Sequence, residues 1–347
     1  MQIIRVAAWL ISIALVIVLI IIGKAFFIPL FLALLFWYIV NAVNEQFRTL
    51  PGSRFRLPNW LTLTMSTTFI VLSLYVVGDL IVQNVESLII AAPDYQVNLN
   101  AQLRRAYGLV GMEQEAPTIN MLTQTIRLQQ YLTPVLNGVT SAAKNFLIVL
   151  LYLIFLIIEQ GAFPRKLRAL NMTDRQYGRL RRILDHINTA MRTYLGVKTF
   201  TSLLTAVLSY VVLEILGLDF ALFWAFLIFL FNYIPTIGSV TATLLPALLA
   251  LLQFEYLTPF FVVIFGVTAV QVVVGNLLEP RLMGDTLNIS PLVVILSLIL
   301  WSMLWGIVGM ILCVPITVAI IIVCSQFPST QAVAILLSKD GQITLPE

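Results

Sequence analysis

The residues of this chain best placed to do chemistry are neutral polar groups and isolated charges set inside long apolar runs. Within the apolar stretch 218–252 lies Asn232-Tyr233-Ile234-Pro235-Thr236-Ile237-Gly238-Ser239. Pro235 lacks an amide donor and Gly238 relaxes the backbone, so a helix is expected to open there. The freed amides and carbonyls, with Asn232, Tyr233, Thr236, Ser239 and Thr241, form a hydrogen-bonding lining. That lining suits a small polar solute, uncharged or weakly charged. Open backbone at membrane depth is tolerated only where protein or water satisfies it. A kink whose backbone groups are satisfied internally is the alternative.

The second constellation is Asn276-Leu277-Leu278-Glu279-Pro280-Arg281-Leu282-Met283-Gly284. Glu279 and Arg281 flank a proline, close enough to pair with each other or to bind neighbouring helix ends. This reads either as a tight turn anchoring the next helices or as a gate whose charges exchange partners. Ser290-Pro291 then restarts a helix with a good N-cap and a proline at the first position. Glu214, Asp219 and Glu255 fall at the ends of apolar runs, as a solvated rim or as an acidic mouth that attracts cations. An ionised side chain at the bilayer centre costs on the order of 2.5–3.5 kcal/mol. Glu214, Asp219 and Glu279 are therefore the candidates for ion coupling.

Motifs for catalysis are missing from the sequence. There is no Gly-x-x-x-x-Gly-Lys-[Ser/Thr] loop, no His-Glu-x-x-His and no Gly-x-Ser-x-Gly. The lone His186, beside Asp185, reads as a surface or packing residue without partners for a metal. Cys313 and Cys324 share an apolar run and make neither a disulfide framework nor a zinc cluster. The expectation is a protein that is not an enzyme, with no cofactor and no metal.

The elements that position these groups follow from composition. Hydrophobic residues make up 60% of the chain and charged residues 10%. A soluble domain carries roughly a quarter charged residues, so the expected fold class is all-α, a polytopic helical membrane bundle. Crossing the hydrocarbon core takes about 20 apolar residues. About six spans are expected, at 4–22, 25–43, 61–82, 146–158 (extended back into 138–145), 200–216 and 257–275. The run after Arg5 is too long for a signal peptide and lacks a cleavage site, so it reads as a retained span. The stretches 218–252 and 291–324 are too long for one crossing, and each is expected to form a helical hairpin, re-entrant or crossing twice. Gly238…Pro246 and Gly306/Gly309…Pro315 occupy comparable places in the two. Paired interrupted segments of this kind point to a transport site built from an inverted repeat, although two independent Gly/Pro-containing helices explain them equally well.

Two polar segments separate the spans. Residues 83–137 contain Pro93, Pro117 and Pro134, and Leu128, Leu132, Val135 and Val139 make an amphipathic approach to the fourth span. Residues 159–199 are basic. There Thr173-Asp174-Arg175-Gln176 fits a capping box, and Leu180, Leu184, Ile187, Met191 and Tyr194 form an apolar stripe. A helix lying along the membrane surface or packed under the bundle is expected. The domain organisation reads as spans 1–3 (1–82), an extracytoplasmic helical segment (83–145), span 4 with the basic helix (146–199), a transport core (200–324) and a cytoplasmic tail (325–347).

Lys and Arg sort to the cytoplasmic side. With the N-terminus inside, fifteen of the 20 lie inside, nine of them between 159 and 199, and five (Lys24, Arg104, Arg105, Arg127, Lys144) lie outside. Both termini are expected in the cytoplasm whether the hairpins dip or cross.

Asn232–Gly238 resembles the Asn-x-[Ile/Leu]-Pro-x-[Ile/Val]-Gly element of the autoinducer-2 exporter family of bacterial membrane proteins. Asn276–Gly284, Leu287-Asn288-Ile289-Ser290-Pro291-Leu292 and Trp305-Gly306-Ile307-Val308-Gly309 resemble its C-terminal signature. The order of elements agrees over nearly the whole chain, most specifically over 195–322. The resemblance implies a secondary transporter in a bacterial inner membrane, a homo-oligomer, exporting small signalling or metabolic molecules. Some family members are associated with sodium–proton exchange. Export of a small polar solute, autoinducer-2 first and hence quorum sensing, is the leading expectation. A monovalent cation/proton antiporter and a non-transporting membrane scaffold or regulator are the others. The partners expected are the lipid bilayer, the solute, protons or sodium, and further copies of the chain, with no nucleic acid.

Overall fold

In lipid, a helix is the one open-ended structure that satisfies its own backbone, and the apolar runs adopt it. The computed structural model describes residues 2–48, 58–109, 146–170, 172–284 and 287–341. All regular structure among the described residues is helical. In chain order these are α1 (Gln2–Ile22), α2 (Lys24–Arg48), α3 (Asn59–Leu109), α4 (Phe146–Gln160), α5 (Phe163–Ala169) and α6 (Asp174–Leu216). There follow α7 (Ala221–Phe231), α8 (Ile237–Gln253), α9 (Thr258–Gln271), a π-helical stretch Val272–Leu278, α10 (Glu279–Met283), α11 (Pro291–Ser325) and α12 (Gln331–Leu337).

By length and composition five of these can cross a membrane: α2, residues Asn59–Ala91 of α3, α6, the run Thr258–Met283, and α11. The pair α4 and α5, bent by 60°, makes a sixth if taken together.

Two helices run further than hydropathy suggests. α3 does not stop near residue 82 but continues to Leu109, through Pro93. The basic segment and the fifth span are one helix, α6, of 43 residues. Charge changes along both helices while helix-forming residues continue, so nothing ends them. At the start of α6 the capping box is reciprocal: Thr173 N donates to Gln176 Oε1 at 3.1 Å and Gln176 N to Thr173 Oγ1 at 3.4 Å. Along its first half Ile183, Ala190, Met191, Tyr194 and Leu195 are buried, with Leu180, Leu184 and Ile187 partly so. Pro117, Pro134, the stripe Leu128–Val139, the extension 138–145, the loop cations Arg54 and Arg56, and residues 342–347 lie outside the described residues.

Both expected hairpins form. α7 and α8 have 11 and 17 residues, so they measure about 16 and 26 Å, short of a core of about 30 Å. α11 turns at Gly306 (φ 61°, ψ −139°). Thr317 Oγ1 donates to Ser297 Oγ at 3.0 Å, whereas a straight helix would hold these residues about 30 Å apart. The two arms of α11 therefore run side by side.

Two compact units are drawn from the chain: residues 1–66, 145–196 and 283–347 in one, and 67–144 and 197–282 in the other. Three of the boundaries fall inside helices, in α3, α6 and α10. In the second unit Leu213, Ile228, Ala247, Ala250, Val263 and Val267 are fully buried, where α6, α7, α8 and α9 meet.

Candidate functional site

On α6, Lys198, Thr201, Ser202, Thr205 and Ser209 recur at steps of three, one, three and four. That spacing puts them on one helical face. The four hydroxyl residues are completely buried. Two of them hide part of their polarity in their own helix. Thr201 Oγ1 donates to the Lys198 carbonyl at 3.2 Å, and Thr205 Oγ1 to the Thr201 carbonyl at 2.8 Å. α6 and the α9 span run antiparallel. Val212 packs against Gly266, where a Cβ would lie 2.9 Å from Val212 Cγ1, and the other ends meet at Lys198 and Glu279. A glycine at a helix crossing lets backbones approach closely.

The hairpin break faces the same stripe. α7 ends at Phe231, and a turn through Asn232–Thr236 leads into α8. Asn232 is buried and donates Nδ2 to Ser202 Oγ at 3.2 Å. The Tyr233 and Thr199 hydroxyls share a hydrogen bond of 2.8 Å. Thr236 sits at φ 59°, ψ −62°, an uncommon conformation for a β-branched residue and a local strain. Gly238 is required by space: a Cβ there would lie 1.8 Å from the Phe231 carbonyl oxygen.

Glu279 completes the cluster. Its Oε1 accepts Lys198 Nζ at 2.7 Å, and its Oε2 shares the single Thr201 hydroxyl proton with the Lys198 carbonyl, 3.2 Å from each. Both charged side chains are largely buried, at 10% and 15% exposure. Of the two alternatives for Glu279, it bonds to a neighbouring helix rather than to Arg281, which is exposed. Residues two apart on a helix point to different sides, so neighbours in sequence are not neighbours in space here. One α6 turn, Lys198–Ser202, thus holds the hairpin break and the charged helix end together.

The remaining expected residues lie apart from this cluster. Thr236 is exposed, and Ser239 donates its hydroxyl to the Thr236 carbonyl. Pro235 is half-buried and shapes the turn; Asn276 and Pro280 are exposed. Glu214 is exposed, and Asp219 accepts the Tyr95 hydroxyl at 2.9 Å while its amide donates to Gln253 Oε1. Asp219 therefore helps clasp the hairpin mouth to α3, with Asn98 Nδ2 donating to the Gln253 carbonyl. Gly284 (φ 55°) follows α10, and it belongs with Gly306 and Gly309 to the first unit.

Lys198, Thr199, Thr201, Ser202, Thr205 and Ser209 were not marked as site residues by sequence reasoning. Their signal was present as hydroxyls at helical spacing on one face of an apolar span. Two further polar atoms, Ser209 Oγ and Gln271 Nε2, are buried without a partner among the described residues. A buried polar atom without a hydrogen bond is costly and needs an explanation.

A family model described as AI-2E family transporter matches residues 10–329. The Escherichia coli "AI-2 transport protein TqsA" is 30% identical over 315 residues, covering 90% of this chain and 89% of that protein. A "Putative transport protein" of Haemophilus influenzae is 32% identical over 320 residues, 90% and 88% of the two chains. The "Putative transport protein YhhT" of Escherichia coli is 35% identical over 228 residues, 63% of each.

Proposed function

This chain belongs to the AI-2E transporter family, and from that premise we propose that it exports a small polar solute, autoinducer-2 first, along the polar face of α6. It is a multi-pass membrane transporter. One observation carries the finer reading: a single turn of α6 bonds to the open hairpin through Asn232 and Tyr233 and to Glu279 through Lys198 and Thr201. These are exchangeable hydrogen bonds at a helix break, and a passing solute with hydroxyl and carbonyl groups can take each of them in turn. The proposed setting is the bacterial inner membrane, with both termini cytoplasmic and the chain in a homo-oligomer.

A second reading, sodium/proton antiport, is favoured by the Lys198–Glu279 pair. Buried intramembrane charges mark proton relays and ion paths. Of the three expected coupling residues, Glu279 alone is buried and paired with a cation, while Glu214 and Asp219 are exposed.

Flux in proteoliposomes separates the two. Solute export predicts uptake of autoinducer-2 into inverted vesicles that Asn232→Ala slows. Antiport predicts instead a sodium-stimulated collapse of an imposed proton gradient, abolished by Glu279→Gln and independent of autoinducer-2. Neither signal from folded protein would overturn both readings.

A further inference from the structure

The first unit carries a cavity that the transport cluster does not use. It is about 480 Å³ and lies between the end of α2, the α4–α5 bend and the first half of α6. That volume is in the roughly 300–1,000 Å³ range of small-molecule sites. Its polar wall is ordered: Trp37 Nε1 donates to Gln160 Oε1 at 2.7 Å, and the Asn41 and Gln160 amides bond to each other at 3.3 Å.

Three arginines line it from two helices, Arg168 on α5 and Arg181 and Arg192 on α6. Arg192 is held by Glu45 at 2.7 Å, and Arg181 is loosely paired with Asp185 at 3.7 Å. Arg168 makes no ion pair among the described residues. With Asp185 the one acidic group on the wall, the cavity is cationic. Guanidinium groups match phosphate oxygens with paired donors.

The place of the cavity selects the form of phosphate. Trp37 bonds to Gln160, the last residue of α4, so the cavity lies where that helix's apolar run ends, and Trp and Tyr are the residues that membrane proteins set at such a level. There α4 bends by 60° into α5, whose Phe163 and Leu167 line the cavity beside Arg168. Phe163 is itself 46% exposed, so apolar surface borders the cavity at the end of the α4 span.

We propose that this cavity binds the phosphodiester headgroup of an anionic phospholipid, with Arg168 and Arg181 holding the phosphate and Phe163 and Leu167 meeting the upper acyl chain. Basic pockets between spans at the membrane surface are suited to such headgroups, each cation contributing about fivefold in affinity.

Native mass spectrometry of the full chain in detergent, titrated with phosphatidylglycerol or phosphatidylcholine, tests this. The wild type is expected to retain phosphatidylglycerol preferentially. Arg168→Gln should weaken that retention about fivefold and Arg168→Gln/Arg181→Gln about 25-fold. Arg175→Gln, an exposed arginine of α6 outside the cavity, should bind as the wild type. Size-exclusion profiles report folding, and Arg168, which has no ion pair to lose among the described residues, keeps the test open if the double variant is unstable. Unchanged retention in Arg168→Gln would overturn the proposal. So would equal weakening by Arg175→Gln, which would mean diffuse attraction, or displacement of the lipid by matched glycerol phosphate, which would mean a site for a soluble phosphate.

Discussion

The two helical hairpins share one backbone device and differ in what lines it. In each, a buried glycine sits where a Cβ would strike an earlier carbonyl oxygen, at 1.8 Å for Gly238 on Phe231 and 1.9 Å for Gly309 on Trp301. Each second arm carries a proline, Pro246 or Pro315. The break at 232–236 is polar and bonds outward to α6 through Asn232 and Tyr233. The turn of α11 is aromatic: the Trp301 and Trp305 rings lie 5.0 Å apart, Thr317 bonds Ser297 across the arms, and the outward bond, Trp305 Nε1 to the Ile20 carbonyl of α1 at 3.4 Å, ends on helical backbone rather than on a side chain. Close packing at glycine makes a tight hairpin in either case. The side chains around it decide whether that hairpin can exchange partners.

The comparison is broken most forcefully at the glycines. Gly238→Leu and Gly309→Leu should each remove most folded protein, since the obstacle in both is backbone. Fluorescence size-exclusion chromatography reads this directly. A well-folded Gly238→Leu without flux would mean that its hairpin yields where the other does not.

The next effect concerns charge, which only the first hairpin's cluster contains. Lys198→Met strands Glu279 and should cost about 3–5 kcal/mol, while Lys198→Met/Glu279→Met should recover most of it. Thermal unfolding of these two, the wild type and Glu279→Met gives the coupling. If the double variant also transports at the wild-type rate, the ion pair is structural.

Smaller effects separate flux from stability. Asn232→Ala should lower flux per folded molecule about fivefold, the value of a hydrogen bond of about 1 kcal/mol. Thr317→Val should cost a similar ~1 kcal/mol in stability and leave flux per molecule unchanged. The reverse pattern would move the transport path to the second hairpin. Tyr233→Phe should have the least effect, about a twofold loss of flux, because a weak hydrogen bond contributes ~0.5 kcal/mol.

Much of this architecture was legible in the sequence because Pro and Gly inside apolar runs leave a helix few choices. Pro235 with Gly238, and Gly306 with Gly309, marked both hairpins. The capping box at Thr173 marked the start of α6 to the residue. What was hidden depends on helix phase and tertiary partners. Lys198 follows a run of loop-like cations and counts as one of them by charge, yet it is buried. Thr201, Ser202, Thr205 and Ser209 barely lower the hydropathy of their span, so their common face disappears in an average. Glu279 and Arg281 are close in sequence, and nothing in that closeness decides between a bond to each other and the bond to Lys198 that forms. The joining of basic and apolar segments into one α6 has only a negative signal, the lack of a proline or turn cluster near 199, which a division of the chain by hydropathy passes over.

The π-helical stretch before Glu279 has a mechanical consequence. Its closing bond runs from the Glu279 amide to the Val274 carbonyl, five residues back, so the helix stores one surplus residue there. Where that surplus sits determines which side chains look toward α6. Were it to travel past Glu279, each residue it crossed would turn by about 100° and slide about 1.5 Å, and the carboxylate would swing off Lys198 with the rod around it intact. The helix would then work like a threaded screw with one loose pitch, converting a local slip into release of a charge. Deleting Gly275 removes the slack while leaving both flanks in register. Such a variant should keep the stability of the Lys198–Glu279 pair and lose transport, a combination that no side-chain substitution in the pair can produce.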